Sequence, residues 1–157
     1  MVSTHVWSTN GRANTELRAW DQNPERELAD LLSRLNGTDR YSFLIWRLPE
    51  GRGLFDVEPD DPARRQYMQC AGDFNGRMTC EVRELVDGEP HQYVLGRSAD
   101  TAADPRRASD QVVPWNKHEA KVRPNEVLTG SEVAGLFVHY YRTGNSAPGY
   151  SRRELNL

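Results

Sequence analysis

The sequence has few of the features that mark secreted, membrane or nucleic-acid-binding proteins. Its two cysteines, Cys70 and Cys80, are too few for the disulfide framework of a small secreted domain. No apolar run approaches the roughly 20 residues that span a bilayer, and the first residues lack the basic start and apolar core of a signal peptide. The formal net charge of −3 disfavours general binding to nucleic acid. These absences predict a cytoplasmic protein with no membrane or nucleic-acid partner.

Motifs that indicate a reaction or a cofactor are also absent from the sequence. It contains no G-x-S-x-G serine motif and no phosphate loop ending in Gly-Lys-Ser/Thr. The four histidines are too far apart in the sequence for ligand spacing, and the acidic residues 58–61 lack the glycine and distal glutamate of a calcium loop. We therefore expect no catalytic residues, no metal site and no cofactor, and a binding protein instead of an enzyme.

The clearest secondary-structure signal is a helix at residues 129–143. Thr129 can cap its first turn, and Glu132 follows three residues later, which is the spacing of a capping box. Gly144 suits the left-handed conformation that ends many helices. The large apolar side chains recur at the spacing of one helical face. They are Val133, Leu136, Phe137, Tyr140 and Tyr141.

A second amphipathic helix is predicted at residues 23–36. Asn23 can cap it, and Pro24 suits its first position. Its apolar stripe is formed by Leu28, Leu31, Leu32 and Leu35. Because each of the two helices has one apolar side, we expect both to pack on the same face of a sheet.

Alternating patterns and turn signals predict the strands of that sheet. Residues 41–48 are apolar on both sides, which is typical of a strand covered on both faces. Leu17 and Trp20 fit either a continuation of the first strand or an approach to the helix. Residues 97–121 show no period and predict an irregular loop. The predicted strands are 2–8, 41–48, 54–57, 66–74, 78–86, 91–95 and 150–155.

The register of the hairpin around Asn75-Gly76 depends on the length of its loop. A two-residue loop would place Met68 and Cys70 on the opposite face from Met78 and Cys80. A three-residue loop with a bulge sets Cys70 opposite Cys80 and puts all four side chains on one face. We favour the longer loop, because a slip of one residue turns every side chain of a strand to the other face.

The order of the elements predicts a single α+β domain over residues 1–157. Its strands are grouped between two helices and do not alternate with them. We expect an antiparallel sheet of about five to six strands, with two main helices packed on one face.

Clustered charge supplies the candidate partner-binding residues. Acidic residues gather near position 58, and two more are predicted on the outer face of the meander; a patch of one sign can steer association with a basic partner. Trp115 is an apolar contact point within the irregular segment. Ordinary solubility is the alternative explanation for the charges. The candidates are Asp56, Glu58, Asp60, Asp61, Glu81, Glu84 and Trp115.

Three segments together resemble actinobacterial immunity proteins of polymorphic toxin systems, in particular the large family often counted first among them. They are the leucine-rich helix at 23–35, the meander YMQCAGDFNGRMTCEVRE with HQYVLGR, and the closing segment PNEVLTGSEVAGLFVHYYRTGNSAPGYSRREL. The closing segment is the most similar, since its helix ends in Tyr-x-x-Thr-Gly before an aromatic residue. Residues 98–121 are not part of the resemblance.

The resemblance implies an antitoxin, which binds a cognate secreted toxin domain and occludes its active site without catalysis. The chemistry of the toxin does not follow from it. An alternative is a small-ligand-binding domain or an enzyme on the concave face of the sheet, where Gln69, Arg83, Gln92 and Tyr93 would converge. A scaffold or secretion accessory is a third possibility, and no residue in the sequence distinguishes it.

Overall fold

The computed structural model describes residues 3–17, 23–98 and 111–157. Within these ranges no helix has both the length and the apolar character needed to cross a membrane. The helices are α1 (Pro24–Ser33) and α2 (Gly130–Thr143). The strands are β1 (His5–Thr9), β2 (Thr15–Glu16), β3 (Ser42–Arg47), β4 (Tyr67–Gly72), β5 (Met78–Val86), β6 (Glu89–Arg97), β7 (Gln111–Trp115), β8 (His118–Val122) and β9 (Tyr150–Glu154).

Seven strands form one antiparallel sheet in the order β2-β1-β3-β4-β5-β6-β9. The predicted α+β class with an antiparallel sheet is therefore confirmed. The sheet has more strands than the five to six expected, and one of them is the two-residue strand β2. Two residues are too few to show a period, so the sequence pattern does not reveal this strand.

Both helices pack on one face of the sheet, as the sequence predicts. The Asn23 side chain accepts a hydrogen bond from Glu25 N at 3.1 Å and caps α1. Thr129 and Glu132 form the predicted capping box of α2, with N–O distances of 3.0 and 3.2 Å. Leucines of α1 and the apolar stripe of α2 share one buried cluster with alternate residues of β3, β4 and β5. Burial of these side chains at about 1.5–3 kcal/mol each holds the two layers together.

The hairpin register predicted around Asn75-Gly76 is confirmed. Asp73 N donates to Arg77 O at 3.0 Å, so the loop contains the three residues 74–76. Cys70 lies opposite Cys80, and both face the helices. The loop length therefore decides which side chains the other face of the sheet presents.

Two predicted elements are wrong. Residues 54–57 form no strand, because Leu54–Asp56 is a 3-10 helix closed by a hydrogen bond from Asp56 N to Gly53 O at 3.0 Å. Much of the segment 97–121 is not an irregular loop, because β7 and β8 pair as a hairpin. Residues 99–110 lie outside the described residues, as does Trp20.

The face of the sheet away from the helices is covered in two places. The 3-10 segment packs on the cluster of Val6, Trp46, Leu48 and Val57. The β7–β8 hairpin packs Val113 and Val122 on Val94. The tip of the hairpin is also tied to the loop after α1, since Asn116 N donates to Gly37 O at 2.6 Å. This face also carries the exposed side of the 3-10 segment and a groove beside the hairpin.

Candidate functional site

The segment Leu54–Asp61 forms an acidic loop on the face opposite the helices. Leu54 and Val57 point into the apolar cluster beneath it, and Val57 is buried. Glu16 reaches across from β2, and its carboxylate accepts a hydrogen bond from Leu54 N at 3.0 Å. The Asp56 carboxylate accepts from Gly53 N at 3.1 Å. The loop is therefore held through its two inward-facing apolar residues, Leu54 and Val57, and through its turn.

Phe55 stands between these two anchors with its side chain in solvent. It is 98% exposed, while the neighbouring apolar residues of the loop pack inward. A 3-10 turn places residues three apart on one side, so anchoring Leu54 and Val57 turns Phe55 outward. A rigidly presented aromatic side chain is the kind of group that fills a pocket on a protein partner.

Acidic residues are close to Phe55 along the chain. The segment 54–61 contains four acidic residues and no basic residue. Glu58 and Asp60 are exposed, and Asp61 uses one oxygen to cap the next 3-10 turn through Ala63 N at 2.8 Å. Within the described part of the chain, none of the four forms an ion pair. The loop therefore carries four carboxylates that form no ion pair with the described residues, next to an exposed phenylalanine.

The arginines that follow the loop do not neutralise it. The Arg64 guanidinium lies over the Trp46 ring, 5.5 Å from its centroid. Arg65 donates to Gly88 O at 3.4 Å, at the turn between β5 and β6. Both cations are thus directed to the body of the protein. Four of the predicted candidates, those at positions 56, 58, 60 and 61, come together in one surface.

The other three candidates are placed apart from that surface. Glu81 lies on the face away from the helices, as predicted, but Glu84 does not. Glu84 pairs with Arg152 at 2.7 Å on the helix side. Burial raises the pKa of the nearby Tyr140 to about 12, and the negative charge of Glu84 adds to that rise. The prediction for Glu84 is wrong, because alternation along a strand puts residues 81 and 84 on opposite faces.

Trp115 lines a groove and is not an exposed side chain. It is half-buried at the end of β7, with its ring 5.5 Å from Tyr41 and 4.7 Å from His118 between centroids. The groove has a cavity volume of about 170 Å³. Its side chains come from β3, β4, β5 and the hairpin, and include Ser42, Gln69, Thr79, Glu81, Trp115 and Ala120.

Polar side chains form a connected chain across the strands at the groove. Glu81 accepts hydrogen bonds from the side-chain amides of Gln69, at 3.3 Å, and of Gln92. Arg83 Nε donates to Gln92 Oε1 at 3.1 Å. Three of the four residues predicted to converge on the concave face therefore do so. Tyr93 does not, since its ring packs with the helix-side core under the Arg152 guanidinium.

Both cysteines and His5 are buried in the folded protein. Burial raises the pKa of both Cys70 and Cys80, which disfavours the reactive thiolate form. His5 is buried, and desolvation followed by repulsion from Arg47 lowers its pKa to about 4. Among the residues that the structure describes, no three histidine, cysteine or acidic side chains are grouped as metal ligands.

No family model and no curated protein matches this chain. The resemblance to immunity proteins therefore stays a prediction.

Phe55 is the residue that sequence reasoning missed. The alternation of Leu54 and Asp56 with Phe55 and Val57 suggested a strand, in which Phe55 and Val57 would share a face. The signal that could have corrected this was Gly53 before the segment and Pro59 after it, since both residues punctuate short turns. The conformation of this segment therefore determines which apolar side chain it exposes.

Proposed function

We propose that the protein is an immunity protein, a cytoplasmic antitoxin that binds one cognate toxin domain and blocks its active site without catalysis. The observation that carries the proposal is Phe55, which is 98% exposed within a loop of four carboxylates. The sequence resemblance supplies the class of partner, and the acidic loop supplies a surface of suitable chemistry. The toxin's own reaction is left open.

The chemistry of the loop suits a basic cleft with an apolar pocket. Burying an exposed phenylalanine in a partner contributes about 1.5–3 kcal/mol of apolar transfer free energy. Carboxylates around the ring would accelerate encounter with a positively charged surface, and they would favour one orientation of docking. Enzymes that act on nucleic acid carry basic clefts, because they bind phosphates. An acidic loop with an aromatic tip would compete for that cleft.

The acidic loop is already ordered by hydrogen bonds in the free protein, which favours tight binding. Its hydrogen bonds from Gly53 N and Leu54 N are already made in the free protein, at 3.1 and 3.0 Å. Little backbone ordering would then be required on association, which removes one of the free-energy costs of binding. We expect the loop to keep its conformation in the complex.

The test is co-expression with the toxin domain encoded in the adjacent reading frame. The intact protein should restore growth and form a one-to-one complex measurable by analytical ultracentrifugation. Phe55→Ala should weaken the complex by at least thirtyfold, about 2 kcal/mol. Val86→Ala removes another exposed apolar side chain, at 49% exposure, and should leave binding unchanged.

The charge of the loop is tested by kinetics. The double variant Glu58→Gln/Asp60→Asn should slow association and flatten its dependence on salt, with a smaller effect on dissociation. Glu89→Gln/Glu119→Gln removes the same charge from exposed positions elsewhere and serves as the matched control. Full growth rescue with unchanged affinity in the Phe55 and acidic variants would contradict the proposed interface. Failure of the intact protein to bind would contradict the function itself.

A further inference from the structure

Beside the β7–β8 hairpin, the groove described above contains a carboxylate that is only partly used. One oxygen of Glu81, Oε1, accepts hydrogen bonds from the side-chain amides of both Gln69 and Gln92. The other oxygen, Oε2, accepts no hydrogen bond from the described residues. Since Glu81 lines the groove, this oxygen is the acceptor left for a bound group.

The charge of Glu81 also has no direct counter-ion among the described residues. Arg83, two residues along the same strand face, donates to Gln92 and not to Glu81. Its guanidinium lies 5.8 Å from the centroid of the Tyr67 ring. A carboxylate that is half-buried and lacks an ion pair favours a cation in its vicinity. The groove is therefore an anionic pocket.

The wall of this pocket is aromatic. Trp115 lines the groove, and its ring is fixed by contacts with Tyr41 and His118 at centroid distances of 5.5 and 4.7 Å. Tryptophan is the side chain whose face attracts cations most strongly. A carboxylate and a tryptophan in one cavity together recognise an organic cation better than either does alone.

The size of the cavity limits the ligand. Its volume is about 170 Å³, and an engineered cavity of about 150 Å³ is known to hold a benzene-sized molecule. A planar guanidinium or a short alkylammonium group, with roughly four to eight heavy atoms, matches this space. A nucleotide or a sugar would not fit.

We propose that the groove is a binding site for an organic cation of the guanidinium or alkylammonium class. Glu81 Oε2 accepts the N–H groups of the cation, and the Trp115 ring covers its face. Gln69 and Gln92 hold the carboxylate in position through its other oxygen. This site does not depend on the proposed toxin partner, because it lies beside the hairpin and uses none of the acidic-loop residues 54–61.

The test uses methylguanidinium as the probe in NMR titrations at constant ionic strength. We expect saturable shifts at the Trp115 indole N–H and at the side-chain amides of Gln69 and Gln92. Methylurea has nearly the same shape without the charge, and it should bind at least tenfold more weakly. Comparable binding of methylurea, or shifts spread evenly over exposed acidic residues, would overturn the proposal.

Two substitutions distinguish binding by the Glu81 carboxylate from a general effect of negative charge. Glu81→Gln should weaken methylguanidinium binding at least tenfold, while Glu89→Gln, which removes an exposed charge at the start of β6, should leave it unchanged. Unchanged affinity in Glu81→Gln would overturn the site. If that variant does not fold, Trp115→Leu replaces it, with an expected loss of at least threefold read at the glutamine amides.

A second arm identifies where the cation comes from. Agmatine represents a free metabolite, and a capped Gly-Arg-Gly peptide represents a side chain on a protein, with Gly-citrulline-Gly as its neutral control. Tighter binding of agmatine would assign the groove to a small molecule, and equal or tighter binding of the arginine peptide would assign it to a protein side chain. Failure of both cations to bind would overturn the site.

Discussion

His5 stands on β1 as a buried titratable side chain with an aromatic neighbour. Its ring lies 4.6 Å from that of Tyr141 between centroids, and the residue is 4% exposed. Burial is the larger cause of its lowered pKa, and the positive charge of Arg47 is the smaller. The folded protein therefore keeps this imidazole neutral over most of the physiological pH range.

That lowered pKa predicts how stability depends on pH. The ordinary pKa is 6.5 and the folded value is about 4, so the unfolded chain takes up a proton first as pH falls. The free energy of unfolding should then decrease between pH 6.5 and pH 4, by about 2 kcal/mol from pH 7 to pH 5. Urea unfolding at the two pH values measures the change.

Two variants isolate the contribution of this histidine. His5→Phe keeps a ring against Tyr141 and removes the titration, so most of the difference between pH 7 and pH 5 should disappear. His139→Gln alters another histidine, on α2, and should leave the difference in place. Equal pH dependence in His5→Phe and in the unaltered protein would contradict the assignment.

Single positions also show where prediction from sequence fails. Residues 56, 58, 60 and 61 were chosen for charge alone, and they gather because one loop carries them. Glu84 was misplaced because strand alternation was not applied to it. Phe55 was missed because exposure depends on the turn geometry, which the apolar letters themselves do not indicate. Charge along a short loop is therefore more predictable than the direction of one side chain.

The helix α2 contains two glycines in opposite surroundings. Gly130 begins the helix and is buried, and a Cβ atom there would lie 2.3 Å from Phe74 O. Gly135 is exposed in the middle of the helix, and a Cβ atom there would meet nothing within 4 Å. The close approach at Gly130 fixes where α2 meets the loop between β4 and β5.

Alanine substitutions at these two glycines should change the free energy of unfolding in opposite directions. Gly135→Ala should raise the free energy of unfolding by about 0.5–1 kcal/mol, because it lowers the backbone entropy of the unfolded chain without a clash. Gly130→Ala should lower it by about 2 kcal/mol, since backbone atoms have to move apart. Urea denaturation measures both. A stabilising Gly130→Ala would show that the start of α2 can shift freely.

Helices and turns that carry their own capping or turn residues were predicted well. Strands whose burial depends on packing against distant parts of the chain were not. Both helices carry their own caps, and the confirmed loop at residues 74–76 carries an Asn-Gly turn. The hairpin of β7 and β8 was missed because its buried side chains, such as Val113 and Val122, are widely spaced along the sequence. They are buried against Val94 and the apolar side chains around it. Such packing depends on tertiary contacts, which no short window of sequence contains.

Two ion pairs link distant parts of the molecule, and their surroundings differ. Glu126 is 1% exposed and accepts two hydrogen bonds from Arg153, both at 2.8 Å, and one from Arg123 N. Glu25 joins α1 to α2 through Arg142, whose side chain is 61% exposed. The first pair connects the segment before α2 to the edge strand β9, and the second bridges the outer surface of the helices.

Burial should decide the effect of breaking each pair. Arg153→Met leaves a buried carboxylate without its cation, so the free energy of unfolding should fall by about 3 kcal/mol. Arg142→Met should change it little, because water and salt already screen that pair. The double variant Glu126→Leu/Arg153→Met should recover part of the loss. Equal effects of the two single variants in urea unfolding would contradict this explanation.

At the scale of the whole molecule, the fold class and the helical layer were predictable, but the groove was not. Apolar periodicity assigns the helices to one face of the sheet. The groove needs Glu81 from β5, Gln92 from β6 and Trp115 from β7 to meet across paired strands and a hairpin. Gln69, Arg83 and Gln92 were expected to converge from their strand positions. The β7–β8 hairpin closes one side of the cavity, and it lies in a segment that the sequence predicts to be an irregular loop.

The bond between Asn116 N and Gly37 O has a kinetic consequence for that cavity. It fastens the tip of the hairpin to the loop after α1, and Arg77 donates to Val112 O at 3.3 Å further back. Because these two hydrogen bonds hold the β7–β8 hairpin, we do not expect it to open and close over the cavity. The groove would then have the same shape before and after a cation binds. Binding should follow a single exponential, with an observed rate constant that rises linearly with the concentration of the cation.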